Sequence, residues 1–186
     1  MSISRTAWLR PLSARIQRIM HADCVDPADR RLALLLQGAA AAFGFAVRLR
    51  TAAYRNGLLR TRKLPCRVIS VGNIAVGGTG KTPMAFHVAA TLRAMGCRTV
   101  LVSRGYHGEA EKSGGIVSDG RRLRMEARQA GDEPFMLAMR LKHLAVPVVV
   151  GQDRYAAGNL ASAYFRPDVI VLDDAFQHIR LHRDVD

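Results

Sequence analysis

The sequence predicts an α/β fold, a parallel sheet covered by helices on both faces and preceded by a basic, apolar helical segment. Three observations lead there. From residue 67 onward short apolar runs alternate with helix-length stretches, one run ends in a glycine-rich turn that feeds a helix, and another ends in paired aspartates. Runs that are continuously apolar, not alternating, need cover on both faces, as parallel strands joined by right-handed helical crossovers have. A length of 186 residues suffices for one core with an extension, and 49% apolar with 23% charged residues excludes a disordered chain.

The extension comes first. Residues 1–67 carry 13 Lys and Arg against 3 Asp, a surplus of 10 in a chain of net charge +13. Nucleic acid and an anionic membrane surface are the partner classes such a surplus suits. Within residues 1–20, Trp8, Leu9, Leu12, Ile16 and Ile19 fall near one helical face. This basic amphipathic stretch can lie in a membrane interface or pack on its own domain. Residues 21–30, with Pro27, read as a linker. Residues 32–47 are apolar but for Gln37 and are flanked by Arg30, Arg31, Arg48, Arg50 and Arg55. The run falls about a turn short of the roughly 20 residues a bilayer crossing needs. It predicts a helix in the membrane interface, with a buried core helix as the competing reading. A cleaved leader is disfavoured, because the run starts beyond residue 30 and no small-residue cleavage site precedes Arg48. Cys24, Cys66 and Cys97 are odd in number and lack a C-x-x-C pair, which speaks against a disulfide framework or zinc site and for a reducing cytoplasm.

The first core strand is expected over residues 68–72, followed by N-I-A-V-G-G-T-G-K-T-P. Glycines at this density let backbone N–H groups close on an anion, and Pro83 suits the first turn of a helix expected over 81–95. In the loop G-x-x-x-x-G-K-[ST] the backbone wraps nucleotide phosphates, the lysine reaches the outer ones and the hydroxyl ligates Mg²⁺. Gly77, Gly78, Thr79, Gly80, Lys81 and Thr82 supply such a loop, with Ala75 where the pattern has its first glycine. ATP and Mg²⁺ are the cofactors it implies; the plainer alternative is a glycine turn without a ligand.

A second strand over 99–103 leads into S-R-G-Y-H-G, where Arg104 suits phosphoryl charge and Tyr106 a sugar or nucleotide. A solvated arginine in a glycine turn is the competing view. Residues 109–128 break the rhythm, and Gly114, Gly115 and S-D-G at 118–120 suggest a hairpin and loop on the ligand side. G-D-E-P at 131–134 precedes a helix over 133–144. Asp132 is there either an N-cap or a carboxylate that takes a proton from an attacking hydroxyl. A third strand over 146–150 ends near Arg154, a phosphate or substrate candidate that opens a helix over 154–164. The last strand, 169–172, ends in Asp173 and Asp174, where open α/β sheets bind ligands and phosphate-loop proteins hold Mg²⁺. Gln177 and His178 follow closely, although a lone histidine is more often structural.

Together, V-G-N-I-A-V-G-G-T-G-K-T-P, V-S-R-G-Y-H-G, G-D-E-P, V-G-Q-D-R and L-D-D-A-F-Q-H-I-R-L-H-R-D, in this order over residues 54–186, closely resemble the tetraacyldisaccharide 4'-kinase family of lipid A biosynthesis. The resemblance implies a P-loop NTPase-like kinase core over residues 67–186 behind a membrane-interface extension, residues 1–66. It also implies an enzyme on the cytoplasmic face of the inner membrane, peripheral or monotopic. Such an enzyme transfers the γ-phosphate of ATP to the 4'-hydroxyl of a tetraacylated glucosamine disaccharide 1-phosphate. Carried onto matching positions, Lys81 and Thr82 bind phosphates and Mg²⁺, Asp132 is the base, and Asp173 and Asp174 serve the metal. Arg104, Tyr106, Arg154 and Gln177 fall at substrate positions, and His178 joins Asp132 and Lys81 among the catalytic candidates. The implied partners are the lipid A disaccharide precursor and an anionic membrane surface, not nucleic acid; oligomeric state is left open. Family members continue past the R-D-x-D segment into another strand and a second lobe. The resemblance therefore implies a core incomplete at its C-terminus, with a histidine partner for Asp132 outside it. Another P-loop ATPase or GTPase, or a truncated membrane-attached nucleotide binder without activity, are the alternatives.

Overall fold

The computed structural model describes residues 16, 29–73 and 80–186. The amphipathic stretch over 1–20 apart from Ile16, the linker as far as residue 28, and Gly77, Gly78 and Thr79 lie outside the described residues. The chain forms two units, residues 1–56 and 57–186.

In the first unit, α1 spans Arg30–Arg55, 26 residues, or about 39 Å at the usual rise per residue. It is longer than the expected 32–47, because R-L-R-T-A-A-Y-R offers no breaker until Asn56 and Gly57, the latter at φ 73°. Leu34, Leu35, Phe43, Phe45 and Leu49 are each at least 61% exposed, which overturns the core-helix reading. By length and composition, the stretch Arg30–Tyr54 is able to cross a membrane, which also removes the expectation that it falls a turn short.

The second unit carries β1 (Arg67–Val71), α2 (Lys81–Ala94), β2 (Thr99–Ser103), a 3-10 turn at Glu109–Glu111, β3 (Gly115–Ser118), α3 (Ala127–Ala130), α4 (Asp132–Leu141), a 3-10 turn at Lys142–Leu144, β4 (Val148–Val150), α5 (Arg154–Phe165) and β5 (Val169–Asp173). The sheet order is β1-β5-β2-β4-β3. The first four of these strands run parallel, whereas β3 pairs antiparallel with β4. The all-parallel expectation is corrected at that edge. Because Gly115 faces Val150 and Ser118 faces Val148, β3 descends to the amino end of β4. The S-D-G turn thus lies opposite the ligand side expected for it, and only residues 104–114 stay at the carboxyl end. β4 starts later than expected because Pro147 has no N–H to donate, although its carbonyl accepts from Leu101 at 3.0 Å.

Successive side chains on a strand point to opposite faces, and here both faces are covered. Leu101, Val148, Val150 and Val171 pack with Ala85 and Ala89 of α2 and with Leu137, Ala138 and Leu141 of α4. Val100, Val102, Val149, Ile170 and Leu172 pack with Ala157 and Ala161 of α5 and with Leu64. Two dry faces explain why the strands read as unbroken apolar runs. At the outer edge of β1, Ser70 donates to the Val185 carbonyl at 2.9 Å and Val68 to the Asp184 carboxylate at 2.7 Å. The last residues thereby lie alongside β1, with Ile69 and Val185 in a parallel bridge.

Candidate active site

Four parallel strands bring their carboxyl ends to one side of the sheet, and the predicted polar motifs collect there. β1 leads through Gly72, whose Cβ would meet that of Phe176 at 2.4 Å, so only glycine fits this approach. On the far side of the loop Gly80, at φ 74°, is the N-cap of α2. Lys81 opens the helix, and its ammonium lies 3.3 Å from the Asp174 carboxylate. The Thr82 hydroxyl donates to the Glu133 carboxylate. The start of α2 is therefore joined to the end of β5 and the start of α4 before any ligand is considered.

The two aspartates that the sequence presents as a pair behave differently. Asp173 is the last residue of β5, 2% exposed, and its Oδ1 is buried without a hydrogen-bond partner. Burial, then the neighbouring charges of Glu133 and Asp174, push its carboxyl up to about 7, against the opposing pull of Arg154 and Lys81. Asp174 leaves the strand in the left-handed region, φ 51°, and donates its N–H to the Val71 carbonyl at 2.9 Å. That turn directs its carboxylate outward to Lys81. Non-glycine residues adopt this conformation at a cost of about 1 kcal/mol or more, so its neighbours must hold it there.

Arg154 holds it from beneath. The side chain is 1% exposed, and its guanidinium donates to the carbonyls of Gly151 (2.7 Å), Asp173 (3.2 Å) and Asp174 (3.4 Å). Burial lowers its pKa to about 10, still far above neutrality, so the charge persists. From the other side Arg183 donates to the carbonyls of Ala175 and Phe176 at 3.0 and 2.8 Å. Between these clamps sit Gln177, exposed, and His178, half-buried, whose imidazole is pushed below its usual range by burial and by the charges of Arg154 and Arg104.

Asp132 is the first residue of α4, not its cap. Gly131, at φ 89° and with no side chain to offer, holds the N-cap position. The N-cap reading of Asp132 is thus corrected, and its carboxylate is exposed with no protein partner among the described residues. Arg104 is not merely solvated: it pairs with Glu111 at 2.8 Å and lies 5.4 Å from the Tyr106 ring centroid, while Tyr106 stacks on His107. The two glycine motifs touch through backbone. A Cβ on Gly131 would meet the Tyr106 carbonyl oxygen at 2.7 Å, and one on Gly108 would meet Gln129 and Gly131 at 2.6 Å.

Sequence reasoning missed Glu133, Glu111 and Arg183. Glu133 follows Asp132 in a motif already singled out, and a helical N-terminus aims its successive first-turn side chains toward different neighbours. Among the described residues no three His, Cys, Asp or Glu side chains gather closely enough to enclose a metal ion. Mg²⁺ held with a nucleotide takes only one or two carboxylates, the rest being phosphate and water. The buried Asp173 Oδ1, without a hydrogen-bond partner, and the neighbouring Asp174 carboxylate fit that modest demand.

The family profile of tetraacyldisaccharide-1-P 4'-kinase matches residues 32–186. The chain is 49% identical over 185 residues to the tetraacyldisaccharide 4'-kinase of Pelobacter propionicus, which covers 100% of this chain and 49% of that protein. Against the Geobacter metallireducens tetraacyldisaccharide 4'-kinase the identity is 51% over 157 residues, 84% of this chain and 46% of the relative. A crystal structure of the "apo" form of LpxK from Aquifex aeolicus in complex with ATP superposes with a TM-score of 0.68 at 39% identity, over 80% of this chain and 47% of that one. The chain spans about half the length of the curated relatives it matches.

Proposed function

The chain belongs to the tetraacyldisaccharide 4'-kinase family, and from that premise we propose that it forms the nucleotide-binding half of a lipid kinase. The reaction is transfer of the γ-phosphate of ATP to the 4'-hydroxyl of a tetraacylated glucosamine disaccharide 1-phosphate. One observation carries the reading: Lys81 and Thr82, at the start of the helix that follows the glycine loop, meet Asp174 just after β5 and Glu133 in the first turn of α4. That convergence is what phosphoryl transfer requires, since its catalysis is mostly positioning and charge stabilisation.

In this reading Gly77, Gly78, Thr79 and Gly80 wrap the phosphates, and Lys81 exchanges Asp174 for the γ-phosphate. Thr82, Asp173 and Asp174 would hold Mg²⁺, which supplies charge neutralisation on the β- and γ-phosphates. Asp132, exposed at the start of α4, takes the proton of the 4'-hydroxyl. His178 and Gln177, on the turn that Arg154 and Arg183 hold, face the acceptor together with Arg104 and Tyr106. Residues 1–66 form the membrane-facing extension and residues 67–186 the catalytic core. The exposed apolar surface of α1 supports attachment to the inner membrane at its cytoplasmic face, where an acylated, anionic acceptor resides.

Because the chain spans about half the length of its relatives, a narrower second reading concerns the 186 residues alone: they bind nucleotide without transferring phosphate. Mg·ATP binding by the chain and phosphate transfer by a protein of family length containing it test both readings. The first expects ATP binding that Lys81→Ala abolishes, and lipid phosphorylation at family length. The second expects no lipid turnover by the shorter chain. ATP affinity indifferent to Lys81→Ala would overturn the phosphate-loop assignment, and turnover by the 186 residues would overturn the second reading.

A further inference from the structure

Phe176 is large, apolar and 41% exposed, so filling the core does not account for it. Its backbone has a more specific contact. Gly72, where the chain leaves β1 for the glycine loop, packs directly on it: a Cβ at Gly72 would meet the Cβ of Phe176 and stand 3.2 Å from its nitrogen and 3.3 Å from its Cα. Two residues before Phe176, Asp174 donates its N–H to the Val71 carbonyl at 2.9 Å. The turn after β5 thus bears on two successive residues at the point where the phosphate loop begins.

Arg183 fixes that turn. One of its guanidinium nitrogens donates to the carbonyls of Ala175 (3.0 Å) and Phe176 (2.8 Å), its Nε pairs with Asp186 at 3.0 Å, and the guanidinium carbon lies 5.8 Å from the Phe176 ring centroid, within cation–π reach. The side chain is only 13% exposed, so water competes weakly for these contacts. The segment that carries Arg183 is itself tied to β1, because Asp184 donates its N–H to the Val68 carbonyl at 2.8 Å while its carboxylate accepts the Val68 N–H at 2.7 Å. The contacts close a ring: from β1 to Asp184, to Arg183, to the turn after β5, and through Phe176 and Gly72 back to the end of β1. No member of such a ring shifts alone.

Resting on the kinase reading above, we propose that Arg183 is a positioning residue for the nucleotide phosphates, acting through the Phe176–Gly72 backbone joint on the entrance of the glycine loop. It touches no reacting atom. Backbone N–H groups hold an anion only when they point at it, so a small rotation at Gly72 is enough to weaken the nest. Lysine is a poor replacement, because its single nitrogen cannot hold the two carbonyls and Asp186 together as the guanidinium fork does.

A double-mutant cycle read by Mg·ATP affinity in the 186-residue chain tests this. Arg183→Met keeps the stem and removes the donors, whereas Gly72→Ala drives a methyl group into Phe176 from the other side. Each alone should weaken Mg·ATP binding about tenfold, but Gly72→Ala should cost less than about threefold once Arg183→Met has freed the turn to yield. Costs that simply multiply would overturn the proposal, as would an Arg183→Met chain that binds like the wild type. Arg183→Lys should fall between wild type and Arg183→Met, and it takes the place of Arg183→Met in the cycle if that variant does not fold. A second readout needs no ligand. Amide exchange at Asp174 should quicken about tenfold in Arg183→Met while Val171 and Leu172 within β5 exchange as before. Uniform acceleration across β5 would make Arg183 a plain stabiliser of the fold and overturn the proposal. The kinase reading fails differently, through a wild type that binds no Mg·ATP with the local exchange effect of Arg183→Met still present.

Discussion

The two ends of the sheet treat charge in opposite ways. At the amino end, Arg98 and Asp168 satisfy one another: the Asp168 carboxylate accepts the Arg98 backbone N–H at 2.9 Å and its guanidinium besides, and is held at about 2, well below the carboxylate range. At the carboxyl end, Asp173 is buried, with an Oδ1 that has no hydrogen-bond partner and a pKa raised to about 7, Asp174 is left-handed, and Arg154 lacks a hydrogen-bonded carboxylate. One end is arranged to stabilise the fold. The other retains polar groups that folding alone does not satisfy, the pattern expected where a ligand completes the structure.

If the comparison holds, substitutions at the carboxyl end cost turnover more than stability, and those at the amino end do the reverse. The largest effect is expected for Lys81→Ala in a protein of family length, a loss of about 10³-fold or more in turnover with the thermal midpoint little changed; unfolding at ordinary temperature would break the comparison. Next, Asp132→Asn should lower turnover by about 10²-fold with ATP affinity and the circular dichroism spectrum preserved, since Gly131 and not Asp132 caps α4. A matching drop in helix content would make Asp132 structural.

Asp173→Asn should lower turnover as well, yet stabilise the nucleotide-free chain at pH 8 by something on the order of 2 kcal/mol. The sign follows from the raised pKa. Between about 4 and about 7 the folded state binds the extra proton, so wild-type stability falls as pH rises through that window, and the advantage of the variant should fade below pH 5. Denaturant unfolding at both pH values measures this, and a variant less stable at pH 8 would sink it. Smallest of all, Asp168→Asn should lower the midpoint slightly at low salt and leave turnover alone. Its depressed pKa means that the contribution is present above about pH 4 and lost as pH falls through about 2. An effect undiminished by high salt would show that more than an exposed ion pair is at stake.

Much of this site was legible because local signals and fold agreed. The run from Val68, the G-K-T turn and Pro83 predict a strand, an anion loop and a helix, and β1 and α2 stand at Arg67–Val71 and Lys81–Ala94. The paired aspartates at a strand end are likewise found at the carboxyl end of β5. What escaped depends on tertiary direction. Strand register buries Asp173 and a left-handed turn exposes Asp174, a distinction no composition contains. Glu133 reaches Thr82 across 51 residues of sequence, and nothing local to G-D-E-P distinguishes it from Asp132. A hairpin at S-D-G was expected and Ser118 bridges antiparallel to Leu123, but the four residues of G-I-V-S carry too short a pattern to reveal that they pair with β4 or in which direction. α1 was underestimated because arginines were read as flanks of an apolar run, although arginine is a good helix former.

The contact between Gly108 and the Gln129–Gly131 backbone has a mechanical meaning. Side chains between two loops act as a cushion, since rotamers can yield when one loop shifts. Here the loops carrying Tyr106 and Asp132 meet main chain to main chain, with the nearest approaches too tight for even a methyl group. There is no slack in such a joint. Any displacement of residues 104–108 is delivered to the start of α4 undamped, so Tyr106 and Asp132 move as the two arms of one lever.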